Sequence, residues 1–172
     1  DREPNERLAI EFFGGEPLIN FKLIKQIYEW VSGLDLSFPL MFQTTTNGTL
    51  LTDSVVEWFT QVKNDFRVVV SIDGDEAMQM ANRGASMKKI PAEYIVENWP
   101  NSYFKMTVSK ETLPHYAHGI IELTKKGFKV PSSLAEGFDW TKEDAEIYKQ
   151  ELLKIGDFYL NNPQYKADQP FN

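Results

Sequence analysis

Residues 66–73 read Phe-Arg-Val-Val-Val-Ser-Ile-Asp, an almost unbroken run of apolar and β-branched side chains. A strand with one wet face alternates polar and apolar residues. A strand buried on both faces does not, and burial on both faces is typical of parallel sheets covered by helices. Four more apolar runs predict strands at Leu8–Phe13, Leu40–Thr45, Phe104–Val108 and Val130–Leu134. The strand starts lie 26 to 38 residues apart. That spacing fits one helix between consecutive strands, the βα rhythm of a parallel α/β fold. The rhythm is architectural and carries no sequence self-similarity.

The intervening segments show helical periodicity. Asn20 is placed to cap a helix whose apolar positions are Leu23, Ile24, Ile27, Trp30, Val31 and Leu34. Thr52 is placed to cap a second, with Val55, Val56, Phe59 and Val62 inward. His115–Lys126 forms a third, stopped by Gly127. Thr141 and Asp144 have the spacing of a capping box, opening a helix that runs to about Leu160, before Pro163. Residues 75–100 predict one helix near Ala92–Asn98 with a loop before it. Trp30, Trp58 and Trp99 are expected in the core or lining. The domain expectation is one unit over 1–162 and a frayed tail over 163–172.

Polar and small residues follow each predicted strand. Gly14-Gly15-Glu16-Pro17 follows the first, Thr44-Thr45-Thr46-Asn47-Gly48 the second and Ser71-Ile72-Asp73-Gly74 the third. Thr107-Val108-Ser109-Lys110 follows the fourth, and Ser132-Ser133 with Glu136 the fifth. Ligands bind at the carboxyl ends of parallel strands in barrels and in open α/β sheets. Each pair taken singly also reads as a turn: Gly14-Gly15, Asn47-Gly48 and Asp73-Gly74 all suit one. His115 and His118 lack further metal-ligand partners and read as ordinary helix residues, so no metal site is expected. Lys88-Lys89 and Lys125-Lys126 read as solvated surface, and Glu136, Asp139 and Glu143 as solvated loop charge or substrate contacts.

The net charge of −7 argues against nucleic-acid and anionic-membrane binding, which need clustered Lys and Arg. No apolar run approaches the roughly 20 residues of a membrane span, and no signal-peptide pattern opens the chain. The start, Asp1-Arg2-Glu3-Pro4, has no initiator methionine, which leads to the expectation of a piece of a longer protein. There is no cysteine. Disulfides, zinc fingers and thiolate-held iron–sulfur clusters are therefore excluded within this sequence, and a cytoplasmic location is expected.

"EFFGGEPL", "TTNGTLLT", "VSIDG", "MTVSKETL" and "GFDWTKEDAE", in this order and spacing, resemble the radical S-adenosylmethionine enzymes. The similarity covers roughly residues 8–160 and is closest to the SPASM-type branch that modifies peptides and proteins, which includes the anaerobic sulfatase maturases. It implies a partial (β/α) barrel of parallel strands, about strands 2–6 of a radical S-adenosylmethionine barrel, with outer helices. It also implies S-adenosylmethionine as cofactor and a peptide or protein as substrate.

By this resemblance Gly14, Gly15, Glu16 and Pro17 meet the methionine ammonium of the cofactor. Bare glycine carbonyls approach an ammonium closely, and a carboxylate is a charge-assisted acceptor. Pro17 presets the helix that follows. Thr45 and Asn47 line the floor, Ser71 lies near the ribose or carboxylate, Asp73 braces that turn, and Arg83 pairs with the cofactor carboxylate. The family's Cys-x3-Cys-x2-Cys loop, which holds a [4Fe–4S] cluster, is absent, so the cluster is expected only in a full-length parent and the isolated chain is expected to be inactive. No catalytic acid or base is identified. The alternatives are a naturally truncated, cluster-less relative that binds a peptide or nucleoside, and a plain α/β binding domain. Exposed barrel edges lead to the expectation of a homodimer.

Overall fold

The structure is a computed structural model, and it describes residues 8–36 and 38–165. In chain order its elements are β1 (Leu8–Phe12), α1 (Phe21–Ser32), β2 (Leu40–Thr46), α2 (Asp53–Val62), β3 (Phe66–Ser71), α3 (Glu76–Arg83), α4 (Ala92–Asn98), β4 (Tyr103–Val108), α5 (Tyr116–Lys125), β5 (Ser132–Leu134) and α6 (Lys142–Asn161). All five predicted strands are present, within a residue or two at their ends. The chain divides into two compact units, Asp1–Val70 with Ile90–Ser102, and Ser71–Lys89 with Tyr103–Asn172. The Asp1–Pro4 start lies outside the described residues, as does the expected tail from 166 onward.

In the first unit β1, β2 and β3 lie side by side and parallel, with Phe12 beside Thr44 and Phe42 beside Phe66. Residues two apart on a strand share a face. One face therefore carries Phe12, Phe42 and Phe66, which stack at centroid distances of 5.7 Å (Phe12–Phe66) and 5.9 Å (Phe42–Phe66). Tyr28 of α1 and Trp58 and Phe59 of α2 close over these rings at 4.9 to 5.7 Å. The sequence specifies these helices by their apolar stripes, so that face becomes the core. Trp99 is buried, and its indole N–H donates to Thr60 Oγ1 at 2.9 Å. Trp30 departs from expectation. It is 68% exposed on the outer side of α1, where Ile24 and Val31 fill the inward positions.

The other face of the same strands mixes Ala9, Met41 and Val69 with a polar row. Glu11, Gln43 and Arg67 occupy one register row across β1, β2 and β3. Burial on both faces, expected from the apolar runs, holds for Val68, Val69 and Val70 of β3, each at most 1% exposed. It does not hold for this row.

In the second unit β4 and β5 are parallel, with Met106 beside Ser132. Helix α3 was not expected from the sequence, where its residues read as loop. The local signals are nonetheless complete. Asp75 accepts from Met78 N at 2.9 Å as the N-cap, and Gly84 stops the helix at φ 61°. Few large apolar residues mark a stripe in its eight-residue length, so the caps alone announce it. Buried Glu151 of α6 accepts from Ala117 N at 2.8 Å in the first turn of α5, where a carboxylate offsets the helix dipole. Tyr116 is pushed up to about 12 mainly by burial, and its hydroxyl shares a 2.6 Å hydrogen bond with Ser132.

The capping box at α6 forms as expected. Thr141 N donates to Asp144 Oδ2 at 2.8 Å, and Asp144 N donates to Thr141 Oγ1 at 3.2 Å. Lys110 Nζ lies 2.9 Å from the same Oδ2. The Thr141 backbone N–H first, and then Lys110, hold the Asp144 carboxyl below its ordinary value. A depressed folded-state value means that the cap's contribution is present above the unfolded value, near pH 4. The contribution fades as pH falls through the folded value. A carboxyl-carbon NMR titration is expected to place the Asp144 midpoint below that of a free aspartate. The first turn of α6 is expected to fray at that midpoint. A midpoint at or above the free value would contradict the capping geometry.

Among the described residues no helix is long and apolar enough to cross a membrane.

Candidate functional site

In the first unit, β1 ends at Phe12 and the chain turns through Phe13, Gly14 and Gly15 to Glu16. Glu16 is extended and caps a short 3-10 helix over Pro17–Asn20, with Pro17 in its first turn. Its Oε1 accepts from Leu18 N at 3.1 Å and from the Thr46 hydroxyl at 2.7 Å. Its Oε2 accepts from Asn47 N at 2.8 Å. One side chain thus ties the end of β1 to the end of β2, and Oε2 keeps room for one further donor. Asn47 turns its own side-chain oxygen back to Thr49 N and Thr49 Oγ1, at 2.9 and 2.7 Å. Thr45 sits on the opposite strand face and reaches Glu11 Oε1 at 3.5 Å.

The expected floor residues Gly14, Gly15, Glu16, Pro17 and Asn47 are therefore neighbours at these two strand ends, whereas Thr45 looks elsewhere. Thr46, which the sequence reading passed over, takes the central place. Period-two alternation was the available signal, since only one of two adjacent threonines on a strand can reach Glu16.

Gly14 and Gly15 are exposed, and no atom stands within 4 Å of where a Cβ would project from either. Gly14 has a φ of 156°, while Gly15 has no positive φ. Gly48 differs, because a Cβ there would meet Ile90 and Val70 at 3.0 Å and its φ is 78°. Gly48 is therefore a packing and turn glycine. A cavity of about 580 Å³ lies against the glycine turn, lined by Glu11, Phe12, Gly14, Gly15, Glu16 and Leu23 among others.

In the second unit, Ser71 and Asp73 follow β3, and Ile72 N donates to Lys105 O of β4 at 3.0 Å. Ser71 is 9% exposed, and its hydroxyl has no hydrogen-bond partner among the described residues. Asp73 is 1% exposed and serves as a hub. Its Oδ1 accepts from Thr107 N at 2.7 Å and from Arg83 Nη2 at 3.0 Å, while Arg83 Nε lies 2.7 Å from Oδ2. Its own N–H donates to the buried Gln79 Oε1 at 2.7 Å.

Asn82 continues the network. It donates to Thr107 O at 2.8 Å and accepts from Ser109 Oγ at 2.7 Å. Gln79, Asn82 and Thr112, whose Oγ1 accepts from Ser109 N at 3.0 Å, were not singled out from the sequence, because they ride on the unexpected helix α3 or on the turn after β4. Arg83 is committed to Asp73 through two nitrogens, and Nη1 has no partner among the described residues. His118 Nε2 lies 3.2 Å from Asp75 Oδ2, and among the described residues no cluster of three metal-ligating side chains occurs. Glu136, Asp139, Glu143 and the two lysine pairs are exposed.

No family model matches the chain. An uncharacterized protein of Methanocaldococcus jannaschii, MJ0907, is 26% identical over 186 residues, covering 97% of this chain and 62% of that protein. The radical SAM cyclopropyl synthase TigE of Paramaledivibacter caminithermalis is 28% identical over 127 residues, covering 70% of this chain and 26% of that protein. The chain spans less than two thirds of either relative.

Among solved structures, anSMEcpe with bound AdoMet superposes with a TM-score of 0.71 at 20% identity, covering 93% of this chain and 48% of that one. The same enzyme with AdoMet and the Kp18Cys peptide gives 0.71 at 19% identity, covering 91% and 47%. In fold the chain is a partial α/β barrel of the radical S-adenosylmethionine type, the fold of the anaerobic sulfatase maturase anSMEcpe, and in sequence it is a relative of the radical S-adenosylmethionine enzyme TigE.

Proposed function

We propose that this sequence is part of a radical S-adenosylmethionine enzyme that modifies a peptide or a protein, and that it supplies much of the cofactor floor. The observation that carries the proposal is Gly15. It has no positive φ and nothing near its missing Cβ, so folding of this chain gives no reason for glycine there. A ligand that approaches the main chain gives one. The carbonyls of Gly14 and Gly15 would accept from the cofactor's ammonium, and Glu16, fixed by Thr46 and Asn47, adds its open lone pair. Asn47 is held at the edge of this turn by its backbone bond to Glu16. Ser71, whose hydroxyl has no partner among the described residues, would offer it to the ribose or carboxylate. Asp73 positions that turn, and Arg83 retains Nη1 for the carboxylate.

Held by Gly14, Gly15, Glu16, Ser71 and Arg83 beside a reduced [4Fe–4S] cluster, S-adenosylmethionine would supply one-electron radical chemistry toward the substrate. The cluster does not fit this chain, because none of its residues is a cysteine. Its thiolates would come from residues outside this sequence, and the isolated chain would be inactive. Reducing conditions suit such a cofactor, which favours the cytoplasm. The outer edge of β1, which pairs with no strand among the described residues, would favour a homodimer of the isolated chain.

The natural gene product containing this sequence, purified anaerobically and reduced with dithionite, is expected to form 5′-deoxyadenosine from S-adenosylmethionine. Gly15→Val is expected to leave the melting temperature unchanged, since its Cβ has room. It should lower that rate about tenfold or more, as loss of one charge-assisted contact does. A full rate in the variant would remove the role of Gly15.

The cysteine-free sequence also favours a second reading, a cluster-less module that holds a peptide or nucleoside at the same strand ends. Retention of intact S-adenosylmethionine with no 5′-deoxyadenosine would select it.

A further inference from the structure

The first unit carries a polar row on the face opposite its aromatic core, and its Glu11 also lines the cavity at the glycine turn. The row runs Arg67, Gln43, Glu11. Arg67 Nη1 donates to Gln43 Oε1 at 3.4 Å, and Gln43 Nε2 donates to Glu11 Oε1 at 3.0 Å. Thr45 Oγ1 adds a second donor to the same Glu11 oxygen at 3.5 Å. The guanidinium fixes which way the Gln43 amide points. The amide then delivers its N–H to the carboxylate, and bonds chained in one direction strengthen each other. Glu11 is exposed, and its Oε2 accepts no hydrogen bond among the described residues.

Three features combine here. A carboxylate is held still by two donors from the neighbouring strand. One of its oxygens is open. It also stands three residues before Gly14, on the strand that carries the candidate cofactor turn. Parallel strands in a covered sheet favour valine, isoleucine and leucine at such positions, so a polar row across three strands asks for a polar occupant or for water. A fixed carboxylate with an open oxygen selects a cationic donor over a neutral one. The net charge of −7 attracts the same class from a distance.

We propose that this face anchors a protonated basic side chain, lysine or arginine, of a peptide ligand, through Glu11 held by Gln43 and Thr45. The inference rests on the peptide reading above and names the kind of peptide.

The test uses the natural gene product containing this sequence, nitrogen-15 labelled, titrated with Ac-Ala-Lys-Ala-NH2 and with Ac-Ala-Nle-Ala-NH2, whose norleucine has the same carbon chain without the charge. The lysine peptide is expected to give saturable shifts at the Gln43 side-chain amide and the Thr45 backbone amide, and the norleucine peptide about tenfold weaker ones. Glu11→Gln keeps size and removes charge, and is expected to abolish the difference between the peptides with an otherwise unchanged amide spectrum. Equal shifts with both peptides, or an undiminished lysine preference in Glu11→Gln, would overturn the proposal and leave a merely solvated sheet face. Absence of 5′-deoxyadenosine formation would sink the radical-enzyme reading without touching this result. Loss of lysine preference beside normal 5′-deoxyadenosine formation would sink this inference alone.

Discussion

Replacing Asp73 with alanine is expected to lower the unfolding free energy by about 3 kcal/mol, the cost of breaking a buried, hydrogen-bonded ion pair. Asp73 is 1% exposed, whereas the Arg83 side chain is 24% exposed. Removing the acid leaves Thr107 N without its 2.7 Å acceptor and leaves Arg83 to find water through its exposed fraction. That partial escape sets the estimate at the lower end of the usual range. For a chain of this size the loss corresponds to roughly 6–12 °C in melting temperature. Urea denaturation followed by circular dichroism checks it. Asp73→Asn keeps an acceptor for Thr107 N and loses only the charge, so it should be milder. Asp73→Ala and Arg83→Met together should cost less than the sum of the two, since they share one interaction. A change under about 1 kcal/mol for Asp73→Ala would mean that water replaces the carboxylate at little cost.

Phe66→Ala is expected to cost about 3–5 kcal/mol, the range for removing a fully buried aromatic ring. Phe66 is 1% exposed and touches rings from both strands beside the core and from both helices above it. Its centroid lies 5.7 Å from Phe12, 5.9 Å from Phe42, 6.1 Å from Tyr28, 5.7 Å from Trp58 and 5.1 Å from Phe59. No single neighbour can collapse into the gap, because each is itself fixed by others. Phe66→Leu should recover most of the loss, and a milder alanine variant would show that α1 and α2 settle inward. Urea denaturation reads both variants on the same scale.

The parallel α/β class and the five strands were legible because runs such as Val68-Val69-Val70 leave few other readings. The capping box of α6 was legible because Thr141 and Asp144 have fixed spacing. Helix α3 was hidden because its evidence lies in caps, Asp75 and Gly84, rather than in a long apolar stripe. Trp30 was misplaced because a helical stripe has width, and its margin faces water. The candidate site divides in the same way. Gly14, Gly15 and Glu16 were visible as a motif. Thr46 was not, because three consecutive threonines look alike until strand parity separates them. The Glu11–Gln43–Arg67 row was invisible in principle, since strand register brings it together and no local pattern encodes register.

Glu16 reaches Thr46 and Asn47 across thirty residues of sequence, and those two bonds exist only once β2 lies beside β1. Until the strands pair, Glu16 keeps only its local bond from Leu18 N. Lifting β2 away would remove both cross-strand bonds and leave the carboxylate held by Leu18 N alone.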